Sequence, residues 1–120
     1  MFRAVILSSV PYGSRTEGAV KPTDAMRRRV PLGQQFYQTY FQMPRTAEKE
    51  FAADPKRTLR MFLYSLSGSI PNGHKWRYVF GENEKVLGGC VDPKQLPAWL
   101  KPEDLDYYAE ESRGPGFEAG

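Results

Sequence analysis

The residues with the most potential for chemistry lie in the run QFYQTYFQMP at positions 35–44, which holds two phenylalanines and two tyrosines. A tyrosine hydroxyl can donate a proton to an oxygen that gains negative charge during a reaction, and such general-acid help is worth roughly 10²–10⁴ in rate. A buried phenol also needs a hydrogen-bond partner for purely structural reasons. The pattern alone favours ordinary packing aromatics over a ligand site.

Two backbone conformations are open for this run. As a strand, it places Tyr37 and Phe41 on one face of a sheet. Its other face then carries Phe36 and Tyr40. A helix instead pairs Phe36 with Tyr40, and Tyr37 with Phe41. The aromatic content and Pro44 favour an extended or irregular backbone.

The rest of the chain lacks a complete catalytic set. Its only histidine, His74, lies in a glycine-containing turn, and its only cysteine, Cys90, has no histidine near it in the sequence. No G-x-S-x-G elbow and no phosphate-binding glycine loop occurs. One histidine and one cysteine exclude an ordinary zinc site built from those ligands, and no residue pattern indicates a metal or another cofactor. The chain alone is therefore a poor candidate for a complete enzyme.

Composition places the chain among globular proteins of about one domain. It has 120 residues, 40% of them hydrophobic and 26% charged, and a formal net charge of +3. Basic and acidic residues are mixed along the chain, and the one basic run, at 27–29, is typical of a solvated helix face, so we expect no nucleic-acid partner. No apolar run reaches the ~18–20 residues that span a bilayer, and the N-terminal apolar stretch is too short for a secretory signal. We therefore expect a cytoplasmic protein with no membrane partner.

Local signals predict a mainly α-helical chain with long loops. Residues 2–10 have the uninterrupted apolar character of a strand buried on both faces, yet no second strand of this kind follows. Ten prolines and eleven glycines indicate short elements. Helices are expected over residues 22–29 with Thr23 as the N-cap, after Pro44, and from Pro102 onwards.

The strongest helix signal begins at Asp54-Pro55, an N-cap residue followed by proline at the first helical position. Apolar residues then recur at helical spacing. They are Leu59, Phe62, Leu63 and Leu66. The region from 68 to 89 follows as a long excursion in which residues 76–80 could form a short strand. Trp76 and Trp99 are interpreted as buried anchors rather than substrate-stacking groups, although the loop around Trp76 could line the mouth of a pocket.

Four segments, taken in this order, resemble the lid domain of epoxide hydrolases of the α/β-hydrolase fold. They are FRAVILSSVPYG from residue 2, FYQTYFQMPRTAEKEF from residue 36, DPKRTLRMFLYSLSG from residue 54 and LPAWLKPEDLDYYAEESRGPGFEAG from residue 96. The resemblance implies that residues 1–12 are a strand leading out of an α/β-hydrolase core and that residues 13–120 are a helical lid. Such a chain is incomplete as a stand-alone fold.

The resemblance also implies a division of labour. In such enzymes a core aspartate attacks the epoxide carbon, a histidine with an acidic partner activates water, and two lid tyrosines hold and protonate the epoxide oxygen. Tyr37 matches the first lid tyrosine, and Gln38 and Phe41 match positions that shape the substrate pocket. The second tyrosine belongs to a run that would follow Gly120. The implied partners are an epoxide and the remaining hydrolase core, and no cofactor is implied.

Two rival hypotheses remain open from the sequence. A small non-catalytic module for ligand binding or interaction is the main alternative, and it predicts a stable fold for the isolated chain. A nucleic-acid binder is the second, and it predicts salt-dependent binding.

Overall fold

The computed structural model describes residues 20–117 of the chain. The predicted strand at 2–10 and the predicted domain boundary at residue 12 lie outside these residues. The described part is mainly helical, as predicted, with a small antiparallel sheet. Its helices and strands are α1 (Pro22–Arg29), β1 (Gln34–Phe36), α2 (Tyr37–Phe41), α3 (Thr46–Ala52), α4 (Pro55–Leu66), β2 (Val79–Gly81) and α5 (Pro102–Glu111), with 3₁₀ turns at Asn72–His74 and Val86–Gly89.

The predicted helices at 22–29 and after Pro44 are confirmed as α1 and α3. The predicted cap of α1 is wrong, because Lys21 rather than Thr23 is the N-cap residue. Proline is favoured at the first helical position, since its fixed φ suits the helix and its missing N–H would have no partner there. Pro22 therefore starts α1 two residues before Asp24, which would be the first helical residue with Thr23 as the N-cap. None of the helices in residues 20–117 is long and apolar enough to cross a membrane.

Helix α4 starts as its sequence predicts. The Asp54 carboxylate accepts a hydrogen bond from the Arg57 backbone N–H at 2.9 Å, and Pro55 occupies the first turn. Its fully buried residues are Thr58, Met61 and Ser65. This face of α4 packs on other segments of the same chain, whereas the apolar stripe lies on a different face.

The aromatic run changes conformation in its middle. Residues 34–36 pair with residues 79–81, with Gln35 opposite Phe80, and the Tyr37 N–H then donates to the Tyr78 carbonyl at 3.0 Å. From Tyr37 the backbone turns into helix α2, so the expectation of extended or irregular backbone is wrong for residues 37–41. The short partner strand explains the change, because pairing ends where β2 begins and a helix then satisfies the backbone locally.

Tyr40 is the centre of the buried core. It packs with Ala47, Phe80 and Val86. Its hydroxyl donates to one oxygen of Glu50 at 2.7 Å, and the other oxygen of that carboxylate accepts from the Leu87 N–H at 2.9 Å. Burial, and then the hydrogen bond to Glu50, hold the pKa of the Tyr40 phenol well above its usual value. This hydrogen-bonded set joins α2, α3 and the 3₁₀ turn at 86–89.

Helix α5 closes the described part of the chain. Its buried Leu105 and the preceding Leu100 face inwards, and α5 packs against α4. The Asp104 carboxylate accepts from the Lys101 N–H at 2.9 Å and so caps its start. After the helix, Gly116 adopts a positive φ of 67°, which glycine tolerates because it has no Cβ. The turn brings Phe117 onto Phe51, with 5.6 Å between ring centroids.

Candidate active site

Five aromatic rings from separate parts of the chain form a closed set of edge-to-face contacts, the aromatic cluster (Tyr37, Phe41, Phe51, Phe62, Trp76). The centroid distance is 5.6 Å for Tyr37–Phe41 and 6.1 Å for Phe41–Phe51. It is 5.3 Å for Phe51–Phe62 and 5.7 Å for Phe62–Trp76. The Trp76–Tyr37 pair closes the set at 4.7 Å. Edge-to-face pairs at these distances are each favourable, so the cluster fixes the position of its rings.

The aromatic cluster is partly open to its surroundings. Four of its rings are half-buried against the core, and Phe41 is 40% exposed. Aromatic side chains that keep part of their surface exposed can contact a ligand as well as each other. The cluster is therefore both a support for the core and an apolar surface.

Tyr37 carries the polar end of this surface. The centroid of its ring lies 4.6 Å from that of Phe36 and 4.7 Å from that of Trp76. Its hydroxyl oxygen accepts a hydrogen bond from the Gln38 side-chain Nε2 at 3.2 Å. Within residues 20–117 no acceptor receives the hydroxyl proton of Tyr37. The phenol thus has a fixed ring, an occupied acceptor side and a proton that it can donate.

The structure brings together all three residues that the resemblance singles out. Tyr37, Gln38 and Phe41 lie on the same short helix, with the Tyr37 and Phe41 rings in contact and Gln38 bonded to the phenol. Gln38 also lines a groove together with Phe36, Tyr78 and Val79 and with Met26, Arg29 and Val30 in and after α1. The helical backbone at 37–41 allows the contact between the Tyr37 and Phe41 rings, because residues four apart share a face of a helix.

A second apolar surface adjoins the aromatic cluster, the α4 groove (Leu59, Phe62, Leu63, Leu66, Trp99). Phe62 belongs to both surfaces. Leu66 is 60% exposed and Trp99 is 48% exposed. The interpretation of Trp99 as a buried anchor is therefore wrong, because its indole lies along an open groove.

Trp76 is held in place by backbone contacts on both of its sides. The backbone N–H of Trp76 donates to the Ser65 carbonyl at 3.0 Å, and the backbone N–H of Arg77 donates to the Gly89 carbonyl at 2.9 Å. A Cβ at Gly89 would lie 2.6 Å from the Arg77 carbonyl oxygen and 3.3 Å from the Trp76 indole. Glycine at position 89 is thus what lets the loop lie close behind the Trp76 ring.

The described residues do not supply a nucleophile with its base. The His74 Nδ1 lies 2.8 Å from the Tyr64 hydroxyl, and no aspartate or glutamate in residues 20–117 forms a hydrogen bond or ion pair with that histidine. No three His, Cys, Asp or Glu side chains in the same range come together as a metal site. The arrangement can position and protonate an oxygen, whereas residues 20–117 do not pair a nucleophile with a base.

Sequence reasoning missed three members of the aromatic cluster. Phe51 and Phe62 fall on the apolar sides of two predicted helices, and Trp76 falls in a long loop. The signals for them were the apolar stripe of α4, which contains Phe62, and the interpretation of Trp76 as a buried anchor. The cluster is assembled by tertiary contacts between four segments, so no local pattern could reveal it.

The chain is similar to curated epoxide hydrolases over nearly its whole length. It is 35% identical over 118 residues to Epoxide hydrolase A of Mycobacterium tuberculosis, covering 98% of this chain and 35% of that protein. It is 35% identical over 119 residues to Epoxide hydrolase 2 of Siraitia grosvenorii, covering 98% of this chain and 34% of that protein. No protein-family model matches the sequence.

Solved structures agree with the sequence comparison. An epoxide hydrolase from an endophytic Streptomyces superposes with a TM-score of 0.75 at 32% identity, covering 92% of this chain and 33% of that one. Epoxide Hydrolase A from Mycobacterium thermoresistibile superposes with a TM-score of 0.67 at 33% identity, covering 82% of this chain and 30% of that one. The chain spans about a third of the length of the relatives it matches. The chain is therefore homologous to one segment of the epoxide hydrolases.

Proposed function

We propose that the chain is the lid segment of an epoxide hydrolase of the α/β-hydrolase fold, which converts an epoxide and water into a vicinal diol in the cytoplasm. Residues 13–120 form the lid, and residues 1–12 lead out of the hydrolase core. The core supplies the nucleophile and the histidine–acid pair that activates water. The lid supplies Tyr37, whose hydroxyl binds and protonates the epoxide oxygen.

The observation that carries this proposal is the state of the Tyr37 hydroxyl, with an occupied acceptor side and a donor that no residue in 20–117 uses. When a core carboxylate attacks an epoxide carbon, that carbon–oxygen bond breaks and its electron pair moves to the oxygen. The oxygen then takes the proton of Tyr37, and the phenolate later regains a proton from water. Proton donation of this kind is worth roughly 10²–10⁴ in rate.

The substrate contacts proposed for the lid come from the same helix. The partly exposed side chain of Phe41 offers apolar surface beside the Tyr37 phenol. Gln38 lies between the phenol and the groove lined by Phe36 and Val79. An epoxide whose oxygen faces Tyr37 would therefore place its substituents against mainly apolar walls, beside which Arg29 is the one charged residue of 20–117 that lines the groove.

The partner proposed for the α4 groove is the remaining hydrolase core. Soluble proteins rarely leave large contiguous apolar patches open, so an exposed stripe that includes Leu66 and Trp99 calls for a cover. The relatives are about three times as long as this chain, and their additional length offers the cover. The stripe adjoins the aromatic cluster through Phe62, so one covering surface would enclose both.

A chimera tests the function. The chain replaces the aligned third of the crystallised Streptomyces hydrolase, and diol formation from a styrene-type epoxide is measured. We expect the chimera to turn over the epoxide and the 120-residue chain alone to give no diol above background. A chimera that folds cooperatively yet forms no diol would contradict the proposal, as would diol formation by the chain alone.

Tyr37→Phe in the chimera tests the assigned residue. It removes one oxygen from a ring held by its neighbours, so we expect at least a tenfold slower epoxide opening with an unchanged melting temperature. Tyr40→Phe is the matched control, since it removes the same atom from the core and should lower the melting temperature more than the rate. An unchanged rate for the Tyr37 variant would reduce Tyr37 to a packing residue.

A further inference from the structure

We propose that Gln38 is a positioning residue for the Tyr37 phenol, which it holds through its side-chain amide so that the hydroxyl proton points towards the substrate. This inference rests on the proposed function and gives Gln38 a role beyond shaping the pocket. It is carried by the contact from Gln38 Nε2 to Tyr37 Oη at 3.2 Å.

The contact fixes the direction of the phenolic proton. A tyrosine hydroxyl has one proton, which prefers the plane of the ring and therefore has two favoured positions. The amide N–H of Gln38 points at the oxygen and excludes the proton from its own side, because two donors facing each other repel. The remaining position is the one from which Tyr37 can donate to a ligand.

The contact also strengthens the donor. A hydrogen bond received by the phenol oxygen polarises the O–H bond, so the proton is donated more strongly to the next acceptor in the chain of hydrogen bonds. As the epoxide oxygen takes the proton, negative charge grows on Oη, and the amide N–H stabilises it. The benefit is therefore largest in the transition state.

Helix geometry alone does not produce this contact. Neighbouring side chains on a helix point in different directions, about 100° apart. Tyr37 is the first residue of α2, and its ring is fixed by Phe36 and Trp76, so the Gln38 side chain has to fold back to reach the hydroxyl. Gln38 is half-buried in doing so.

The chemistry of the amide predicts how substitutions behave. Gln38→Met keeps the length of the side chain and removes the N–H donor. Gln38→Glu keeps the shape but replaces the donor by a carboxylate, which accepts the phenolic proton and turns it away from the substrate. The glutamate variant should therefore be the worse of the two.

The first test compares NMR spectra of the chimera and of its Tyr37→Phe variant, both with ¹⁵N-labelled glutamine. Tyr37→Phe removes only the acceptor oxygen, so the side-chain amide protons of Gln38 should shift upfield and exchange faster with water. The amide signals of Gln42 and Gln95 serve as internal controls and should stay unchanged. A Gln38 amide with the same shift and exchange rate in both proteins would overturn the inference.

The second test is a double-mutant cycle in the chimera. We expect Gln38→Met to lower kcat about tenfold and Gln38→Glu to lower it further, with less than a twofold change in KM. In the Tyr37→Phe background neither substitution should lower kcat again, because its target is gone. Equal losses in both backgrounds would overturn the inference, since Gln38 would then act on the substrate directly.

The two proposals fail in different ways. If Tyr37→Phe alone leaves kcat unchanged, the proposed role of Tyr37 fails, and with it a catalytic role for Gln38. The NMR measurement would in that case still show whether Gln38 holds the phenol. If Tyr37→Phe slows the reaction but Gln38→Met does not, only the inference on Gln38 fails.

Discussion

Helix α4 has two faces that contrast in chemistry and in surroundings. One face carries Thr58, Met61 and Ser65, which are 3%, 4% and 2% exposed. The Ser65 hydroxyl accepts from the Val91 N–H at 2.9 Å, and the Thr58 hydroxyl donates to the Phe51 carbonyl at 3.1 Å. The other face is the apolar stripe, which lies along the α4 groove and ends at the exposed Leu66.

The comparison shows that the more polar face of α4 is the one most completely buried against other segments of the chain. Its hydroxyl groups are buried because they satisfy backbone groups of neighbouring segments. The stripe is apolar and only partly covered by residues 20–117, because Leu59, Phe62 and Leu63 are half-buried and Leu66 is exposed. Its surface is the part of the helix that the proposed function assigns to the hydrolase core, and it adjoins the aromatic cluster that holds Tyr37.

The contrast predicts its largest effect for a pair of substitutions on α4. Met61→Ala should lower the free energy of unfolding of the chain by about 2–5 kcal/mol, because it leaves a cavity in the packed face. Leu66→Ala should change it by less than about 0.5 kcal/mol, because that side chain is mostly exposed. Urea unfolding of both variants measures the difference.

The same pair should behave differently in the chimera. Once the core covers the α4 groove, Leu66→Ala should cost more stability than it does in the isolated chain, whereas the cost of Met61→Ala should stay the same. If Leu66→Ala lowers the free energy of unfolding equally in the isolated chain and in the chimera, the proposal that the core covers the stripe is contradicted.

The second prediction concerns Gly89, which lies close behind the Trp76 ring. Gly89→Ala should destabilise the chain by about 3 kcal/mol, because the new Cβ would meet the Arg77 carbonyl oxygen at 2.6 Å and that oxygen is backbone. Gly88→Ala is the control, since a Cβ there meets no atom within 4 Å. Thermal unfolding followed by circular dichroism should separate the two variants, and equal melting temperatures would contradict the described packing behind Trp76.

A smaller effect is expected at Tyr40. Tyr40→Phe leaves one oxygen of the Glu50 carboxylate without its donor and should cost about 1.5 kcal/mol. Tyr40→Phe combined with Glu50→Gln should lose less than the sum of the single variants, because the two groups bond to each other. Additive losses in chemical denaturation would argue against this contact.

The smallest effect concerns Cys90, which borders the packed face of α4. Burial is the main reason that the pKa of its thiol is raised to about 11; a hydrogen bond with Ser65 opposes this rise and the charge of Glu50 adds to it. At pH 8 the thiol is therefore protonated in the folded chain, and iodoacetamide should react about 100-fold more slowly than with an ordinary cysteine. Mass spectrometry should show the rate rising towards pH 11 and on addition of urea. Fast alkylation at pH 8 would mean that this face is open.

Local sequence signals were sufficient for α1, α4 and α5 but not for α2 or the site. The Asp54-Pro55 start of α4 and the proline starts of α1 and α5 are encoded in adjacent residues, so their positions could be predicted. The turn from strand to helix at Tyr37 depends on the length of β2, which lies over forty residues away. The contact between Gln38 and the phenol depends on that turn, so it could not be read from the run itself.

The stripe of α4 shows the other limit of prediction from sequence. Its spacing identifies a helix with an apolar face, yet the same pattern is compatible with packing on the chain's own loops or on another part of a longer protein. The burial of Thr58, Met61 and Ser65 shows that the most completely buried face of the helix is a different one, and within the stripe Phe62 packs on Phe51 and Trp76.

The most direct test of the central claim is a crystal structure of the chimera with the diol product bound. We predict that the Tyr37 hydroxyl lies within about 3 Å of a diol oxygen, with Gln38 Nε2 still bonded to the phenol. A product bound elsewhere, with the Tyr37 hydroxyl facing bulk water on the side away from the core, would contradict the account.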